Sequence, residues 1–408
     1  MASNSGFPKL LSRIGVIGPV FVVLGLVLLF VGIGGGVSQF YHAWINGWVF
    51  WMSLSTGCFG LMMLGAMVRA QWVQPLRRFF EAGAWNYVVL AVLFIPIVVA
   101  AATNHLFPWA HPYVVAHDPI VAYRSHWFNT PFMTLRTYLM FTIFLVLIRM
   151  LTKVGKVQDE HPDISTRLKA GGLRASIAAP GFLIMVLLIT LGVTDWIMSL
   201  DPHWYSTMYG FLFLIGAGLA AMTFGVILAS QMAIENEEPF KGLVTRQMTR
   251  DWGNLLLMMT MVWAYFSISQ YLIYWSGNLP EEVTYYIQRN AGMFAWVTSI
   301  IVICQFFLPF LLLLSSRLKR RPNMIRNAAI LIFVTRIVEE AWNVVPMFHS
   351  WHGPDSGLAV QFHGFVSYVG AWLFIGGIWL VLFVRYLRQG TLVGSPDPQL
   401  LEVLEHAH

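Results

Sequence analysis

Three ionisable residues interrupt an apolar stretch near the C-terminal end of the chain, VTRIVEEAW. Arg336 precedes Glu339 by three residues and Glu340 by four, so both carboxyl groups can reach the guanidinium on one face of a helix. Two acids and one base cannot all ionise at low cost in an apolar environment, so the two carboxyls should titrate as a unit. Such a group can relay protons, or it can be an ion pair that holds helices together. The sequence leaves both interpretations open.

Three further ionisable side chains fall within apolar segments, where a charge is costly and is functional by default. Arg136 and Asp195 lie in consecutive segments, which commonly pack as neighbours, so we expect them to pair. That pair can be a structural bridge or part of a ligand site. His363 is the third. The candidate proton relay therefore comprises Glu339, Glu340, Arg336, Asp195, Arg136 and His363.

A short polar motif, SLDPHW, follows Asp195 and separates two apolar segments. Asp201, His203 and Trp204 bring an acid, a base and an aromatic ring to the end of a segment. They are candidates for a quinol site, which needs a base within hydrogen-bond reach of each hydroxyl, or for a motif of the outer surface. Asp201 followed by Pro202 is also typical of a helix start, and we expect the next helix to begin there.

The elements that carry these residues are membrane-spanning helices. The chain has 408 residues, of which 57% are hydrophobic and 11% charged, whereas a soluble domain has about 25% charged residues. This composition predicts an all-α, polytopic membrane domain over residues 1–390, followed by a short cytoplasmic tail, 391–408. A spanning helix needs about 20 mostly apolar residues. Ten segments qualify, near 14–34, 45–68, 83–104, 128–151, 175–199, 205–230, 252–276, 291–314, 324–346 and 358–387.

The distribution of lysine and arginine predicts the orientation of these spans. Of the 25 basic residues, 21 lie at the N-terminus, in alternate loops, in the tail or at the adjacent helix ends, and two lie in the other loops. This asymmetry predicts that both termini lie in the cytoplasm. Because membrane orientation accounts for the basic residues, the net charge of +6 does not indicate nucleic-acid binding. The buried charges then fall in the outer half of the bilayer. In the cytoplasmic half of the spans we expect no buried Asp, Glu, Lys, Arg or His, and the polar groups there are hydroxyls and amides such as Thr142, Thr260 and Gln305. This favours an outer half-channel or pocket over a complete proton path.

Cofactor ligands are scarce in the sequence. The two cysteines, Cys58 and Cys304, stand in apolar runs and favour buried packing over a disulfide or metal site. No CxxCH motif or four-cysteine set is present. His363 is the only histidine that lies clearly within a span, whereas a membrane haem needs a pair of histidines. We therefore expect no metal, haem or iron–sulfur cluster to be bound by this chain.

Three motifs together resemble one family along nearly the whole chain. They are DWIMSLDPHWYSTMYG (195–210), WAYFSISQYLIYWSGNLPEE (263–282) and WVFWMSLSTGCFGLMML (48–64), the last followed by Arg77, Arg78 and Glu81. In these motifs the chain is similar to the F subunit of bacterial alternative complex III. That complex is a quinol:cytochrome c oxidoreductase of the bacterial inner membrane.

The resemblance implies a fold and a set of partners. The fold is ten helices, arranged as two four-helix bundles with two flanking helices, and it is related to polysulfide-reductase-type membrane anchors. The partners are a quinol-binding C-type membrane subunit, an iron–sulfur subunit, cytochrome c subunits that carry haem c, and in some cases a terminal oxidase. Menaquinol or ubiquinol would be the reductant. Three roles stay open for this subunit: proton conduction in support of the quinol-oxidising core, a purely structural scaffold, or quinol binding in its own right.

Overall fold

The computed structural model describes residues 7–32, 34, 36–68, 70–348 and 358–394, without the side chains of 281–282 and 358–363. Within these ranges the secondary structure is entirely helical. The helices are α1 (Lys9–Gly32), α2 (Val37–Val68), α3 (Arg77–Trp85), α4 (Tyr87–Leu93), α5 (Ile95–Ala102), α6 (Pro112–His117), α7 (Pro119–Arg124), α8 (Thr130–Glu160), α9 (Ile164–Trp196), α10 (Tyr209–Ile234), α11 (Arg246–Gly277), α12 (Pro280–Arg289), α13 (Met293–Ile301), α14 (Leu308–Leu314), α15 (Ser316–Lys319), α16 (Pro322–Val344) and α17 (Leu358–Leu387).

Nine helical segments in the described part of the chain are long and apolar enough to cross a membrane. Helices α3 to α5 form one of them, and the π-helix Val302–Phe307 joins α13 and α14 into another. These nine correspond to nine of the ten predicted spans, and they make the chain a multi-pass membrane protein. The remaining predicted span, 324–346, corresponds to α16, which has 23 residues but carries Arg326 and the three charges of the Arg336 segment. Its charges, not its length, set it apart from the other nine.

Helix α2 lies at the centre of the molecule and packs against α3, α9, α10 and α17. Its side chains are buried along almost the whole helix. Gly57 lies so close to the Ala217 carbonyl on α10 that a Cβ atom there would overlap it. Small residues allow such close packing of helices in a membrane. Gly57 therefore allows α2 and α10 to come into direct contact.

Helix α1 packs along α17 and otherwise presents apolar side chains to the outside. Gly18 and Gly25 on α1 face Gly377 and Gly370 on α17, and a Cβ atom on Gly377 would lie 2.6 Å from the Gly18 carbonyl oxygen. The two glycine pairs are each seven residues apart, so they fall on one stripe of each helix. The stripe allows α1 to pack closely against α17, which is its main neighbour.

Residues 105–127, 201–208 and 278–290 lie at the same end of the molecule, which we call the outer end. The prediction that Asp201 and Pro202 start a helix is wrong, because α10 begins at Tyr209. Asp201 instead accepts a hydrogen bond from the backbone N–H of His203 at 3.3 Å, in a turn. Its side chain is used within the turn, and the chain needs eight more residues before it enters the next helix.

A buried charge cluster occupies the opposite end, where none was expected. Glu81 on α3 accepts hydrogen bonds from Arg77 at 2.9 Å and from Arg78 at 2.7 Å, and Arg174 on α9 lies 3.5 Å away. Arg77 also pairs with Asp159 at 2.9 Å. Because these residues lie at or just outside the predicted span ends, the sequence suggested solvated loop charges. Packing of α3 against α2 and α8 buries them instead.

Candidate functional site

A cavity of about 370 Å³ lies near the outer end, between α10, α11, α12, α13 and α16, and it is partly open to the surface beside the exposed residues Ile268 and Tyr271. Ligand pockets have volumes of about 300–1,000 Å³ and apolar walls with a few polar groups, and this cavity fits that description. Its walls are mainly aromatic and aliphatic, and its charged lining residues are Arg336, Glu339 and Glu340. The sequence predicted this charged group, and the fold places it against an open volume.

The three charged side chains of α16 form one hydrogen-bonded group. Arg336 donates through Nη1 to Glu339 Oε2 and through Nη2 to Glu340 Oε1, the latter at 2.6 Å. All three side chains are buried, with 8% or less of each exposed. The predicted contacts on one helix face are therefore confirmed. With one guanidinium and two carboxyls, the group carries an excess acid that a proton can neutralise.

The two carboxyls have different neighbours. Glu339 Oε1 accepts a hydrogen bond at 2.7 Å from the indole N–H of Trp263 on α11, so this carboxyl is fixed at the cavity wall. Glu340 Oε2 is buried without a hydrogen bond of good geometry, as is the hydroxyl of Ser53 on α2, and the two residues lie side by side. Both glutamates line the cavity, but Glu339 also contacts α11 whereas Glu340 also contacts α2.

Helix α10 provides the room for the guanidinium. Gly216 lies so close that a Cβ atom would overlap the nitrogens of Arg336. Any larger residue would displace the guanidinium from its two carboxyls, since both sides of the group are already packed. The glycine is therefore required by a charged side chain and not by the backbone conformation.

Helix α12 closes the cavity on its outer side. Arg289, which is fully buried, donates to the carbonyls of Trp342 at 3.1 Å, Tyr285 at 2.9 Å and Asn343 at 2.6 Å. The hydroxyl of Tyr285 donates to the side-chain oxygen of Asn343 at 3.2 Å. The guanidinium therefore joins α12 to the end of α16, two to four residues beyond the two glutamates. This contact fixes α12 over the outer side of the cavity.

Burial shifts the pKa values of Tyr285 and Arg289 on α12, which lies outside the spanning helices. Burial raises the pKa of Tyr285 to about 12, although the guanidinium of Arg289 opposes the shift. Burial lowers the pKa of Arg289, and the surrounding tyrosines act in the opposite direction. The guanidinium lies 3.4 Å from the centre of the Tyr285 ring, a cation–π contact. Ring and carbonyl contacts thus stand in for a carboxylate partner in stabilising this charge.

Arg136 and Asp195 form a separate, closed ion pair, as the sequence predicts. Arg136 donates from Nε to Oδ2 at 2.8 Å and from Nη2 to Oδ1 at 2.7 Å. The guanidinium also donates to the Trp127 carbonyl at 3.2 Å and lies within 4.3 Å of the ring centres of Trp127 and Phe132. Neither charged residue lines the cavity. Both carboxylate oxygens are occupied, which favours the structural interpretation of this pair.

The SLDPHW motif does not line the cavity, and His203 is the only one of its six residues that is exposed. His203 Nε2 is 2.6 Å from Asp118 Oδ2, and Arg124 donates to the Pro202 carbonyl, so residues 105–127 are attached to the turn. Burial raises the pKa of Asp118, but hydrogen bonds from the Val121 N–H, His203 and the Ile120 N–H outweigh it, and the net pKa is lowered. Asp201 and His203 border a separate, shallower hollow of about 530 Å³.

Trp204 is the one motif residue that reaches towards the cavity. It is 1% exposed, stacks on Tyr285 at 4.1 Å and meets Tyr209 edge-on at 5.3 Å. Both tyrosines line the cavity. Trp204 therefore supports the cavity wall from behind, and a quinol site built from Asp201, His203 and Trp204 together is not what the geometry offers.

Several residues that line the cavity were not predicted from the sequence, and one predicted site residue lies outside the described side chains. Tyr209 lies near a predicted span end, Tyr285 and Arg289 lie in a predicted loop, and Trp263 is a mid-span aromatic residue that begins the 263–282 motif. The available signal was the recurrence of aromatic residues in 263–286, of which Trp263 and Tyr274 are buried. His363 lies outside the described side chains.

Comparison of the chain with models of known protein families gives no match. A comparison with curated proteins gives no match either.

Proposed function

We propose that the chain is a membrane subunit of a respiratory quinol:cytochrome c oxidoreductase of the alternative complex III type, and that the cavity beside Arg336 binds quinol and receives its protons. The observation that carries the proposal is the juxtaposition of a fixed carboxyl, Glu339, with an aromatic cavity of about 370 Å³. A quinol ring needs apolar walls of this kind and a base within hydrogen-bond reach of a hydroxyl.

In this proposal the two glutamates have successive roles. Glu339 accepts the proton that leaves a quinol hydroxyl, because its carboxyl lines the cavity. Glu340 shares the guanidinium of Arg336 and lies beside Ser53, so it can take the proton onward. The chain binds no haem or iron–sulfur cluster itself. Electrons pass to iron–sulfur and cytochrome c subunits of the complex.

The remaining features of the proposal follow from the family resemblance. The ten long helices form two four-helix bundles with two flanking helices, both termini face the cytoplasm, and the membrane is the bacterial inner membrane. The partners are a C-type membrane subunit, an iron–sulfur subunit and cytochrome c subunits, and a terminal oxidase joins in some assemblies. The packing of α1 mainly against α17 supports a flanking position for α1.

A purely structural role is the competing function, and the Arg136–Asp195 pair favours it for that part of the molecule. Closed, bidentate pairs position helices without exchanging protons or ligand. The two functions differ in whether the cavity is ever occupied.

Photolabelling with an azido-quinone tests the proposal in the purified complex. We expect label on peptides that line the cavity, from α11 and α16, and protection by an excess of unlabelled quinone. Ala264→Trp should abolish labelling because the larger side chain fills the cavity. Ile273→Trp, on the exposed face of α11, should leave labelling unchanged. Label spread evenly over the lipid-facing helices, without protection, would leave the scaffold role as the better account.

A further inference from the structure

The face of α10 that borders the cavity has two polar contacts about 10 Å apart. Gly216 lies against the guanidinium of Arg336, which holds Glu339. Tyr209 is seven residues earlier, two turns nearer the outer end, at a rise of about 1.5 Å per residue. The charged group and Tyr209 therefore mark two ends of the same cavity wall.

Tyr209 is held in place by its ring and not by its hydroxyl. Trp204 meets the ring edge-on at 5.3 Å and is itself stacked on Tyr285. The side chain is 3% exposed and lines the cavity. No hydrogen bond to its hydroxyl occurs among the described residues, and the oxygen is not one of their fully buried polar atoms, as expected for a group that opens onto the cavity. The hydroxyl is thus free for a ligand.

The wall between these two ends is apolar. Leu212 and Phe213 of α10 line it, and Ala264 and Ile301 face them from α11 and α13. A ligand that satisfies both ends must carry a polar atom at each end of a flat, apolar body. The Arg336 group carries an excess acid, and both its glutamates and Arg289 lie within electrostatic range of Tyr209.

We infer that the hydroxyl of Tyr209 is the second hydrogen-bonding group of this cavity, opposite Glu339, and that the two together select a ring with an oxygen at each end. This inference rests on the proposed function. The ligand hydroxyl that loses its proton faces Glu339, and the distal oxygen accepts a hydrogen bond from Tyr209. The tyrosine acts in recognition and orientation, and Glu339 is the proton acceptor.

Binding of decylhydroquinone and of the matching decylphenol, which lacks one oxygen, tests the inference by calorimetry in detergent micelles. The wild-type protein should bind the diol more tightly by roughly 3- to 10-fold, the effect of one neutral hydrogen bond. Tyr209→Phe keeps the ring contact with Trp204, so it should weaken binding of the diol by that factor and leave binding of the phenol unchanged. Tyr265→Phe is the matched control, because Tyr265 is 67% exposed on α11.

Each outcome has a definite meaning. Equal weakening of both ligands by Tyr209→Phe indicates a structural role of Tyr209 and overturns the inference. An unchanged preference for the diol overturns it as well. Failure of the wild-type protein to bind either ligand instead refutes the proposed function, and the two failures are therefore distinguishable.

Discussion

The two buried arginine groups of the outer end, around Arg136 and around Arg336, use the same residue types in different ways. Arg136 has one carboxylate partner, and every oxygen of Asp195 is occupied. Arg336 has two carboxyl partners, both of which border a cavity, and Glu339 is also held there by Trp263. The balanced pair has nothing to exchange with a ligand. The group with an excess acid and an adjacent volume can gain or lose a proton without separating from its arginine.

The largest expected effect is on catalysis at the Arg336 group. Glu339→Gln keeps an oxygen for the indole N–H of Trp263 but cannot accept a proton. We expect quinol oxidation by the assembled complex to fall by about 100-fold or more, the usual contribution of a general base. Glu160→Gln, on the exposed end of α8, is the control. Normal turnover in a folded Glu339→Gln complex would show that the Arg336 group is structural, like the Arg136 pair, and takes no part in catalysis.

The Arg136 pair should respond in stability and not in turnover. Asp195→Asn leaves a guanidinium without its carboxylate, and loss of one partner of a buried pair costs about 3 to 5 kcal/mol. Thermal unfolding in detergent should show this loss, while turnover per folded complex stays near that of the wild type. The double variant Arg136→Leu with Asp195→Leu should recover most of the stability. A fall in turnover without a fall in stability would show that this pair takes part in the chemistry.

Gly216→Ala should disturb the Arg336 group without removing a charge. The added methyl group would overlap the guanidinium, and overpacking of this kind costs about 1 to 3 kcal/mol. We expect a loss of turnover of roughly 10-fold, corresponding to about 1.4 kcal/mol, with a modest fall in melting temperature. Gly218→Ala on the same helix is the matched control, since its methyl group would lie 3.8 Å from Met259. Equal effects of the two variants would show that the guanidinium can move freely.

The smallest effect is expected at the surface, where Asp118 meets His203. The folded protein lowers the pKa of Asp118, so this contribution to stability is present above the ordinary pKa of about 4 and is lost as the pH falls through the lowered value. Its size should be about 0.5 kcal/mol, as for other exposed pairs. Hydrogen exchange of residues 105–127 at pH 7 and near pH 3 measures it. Asp118→Asn should remove most of this pH dependence.

Much of the fold could be predicted because the bilayer imposes a strong pattern on the sequence. Nine of the ten expected spans coincide with long apolar helices. The start of α10 was predicted eight residues too early, because Asp201 and Pro202 satisfy a turn in place of a helix end. The buried Glu81 cluster was missed because burial of a helix end depends on which neighbours cover it, and hydropathy does not report that.

The sequence by itself determined the contacts that lie within one helix. Arg336 must reach Glu339 and Glu340, because residues three and four apart share a helix face. It also indicated Asp195 as the partner of Arg136, since consecutive helices are commonly neighbours. Only the tertiary structure decided which arginine group borders an open volume, because the cavity is lined by five helices from distant parts of the chain. The positions of Trp263 and Tyr209 follow from that packing, which spacing along the chain does not encode.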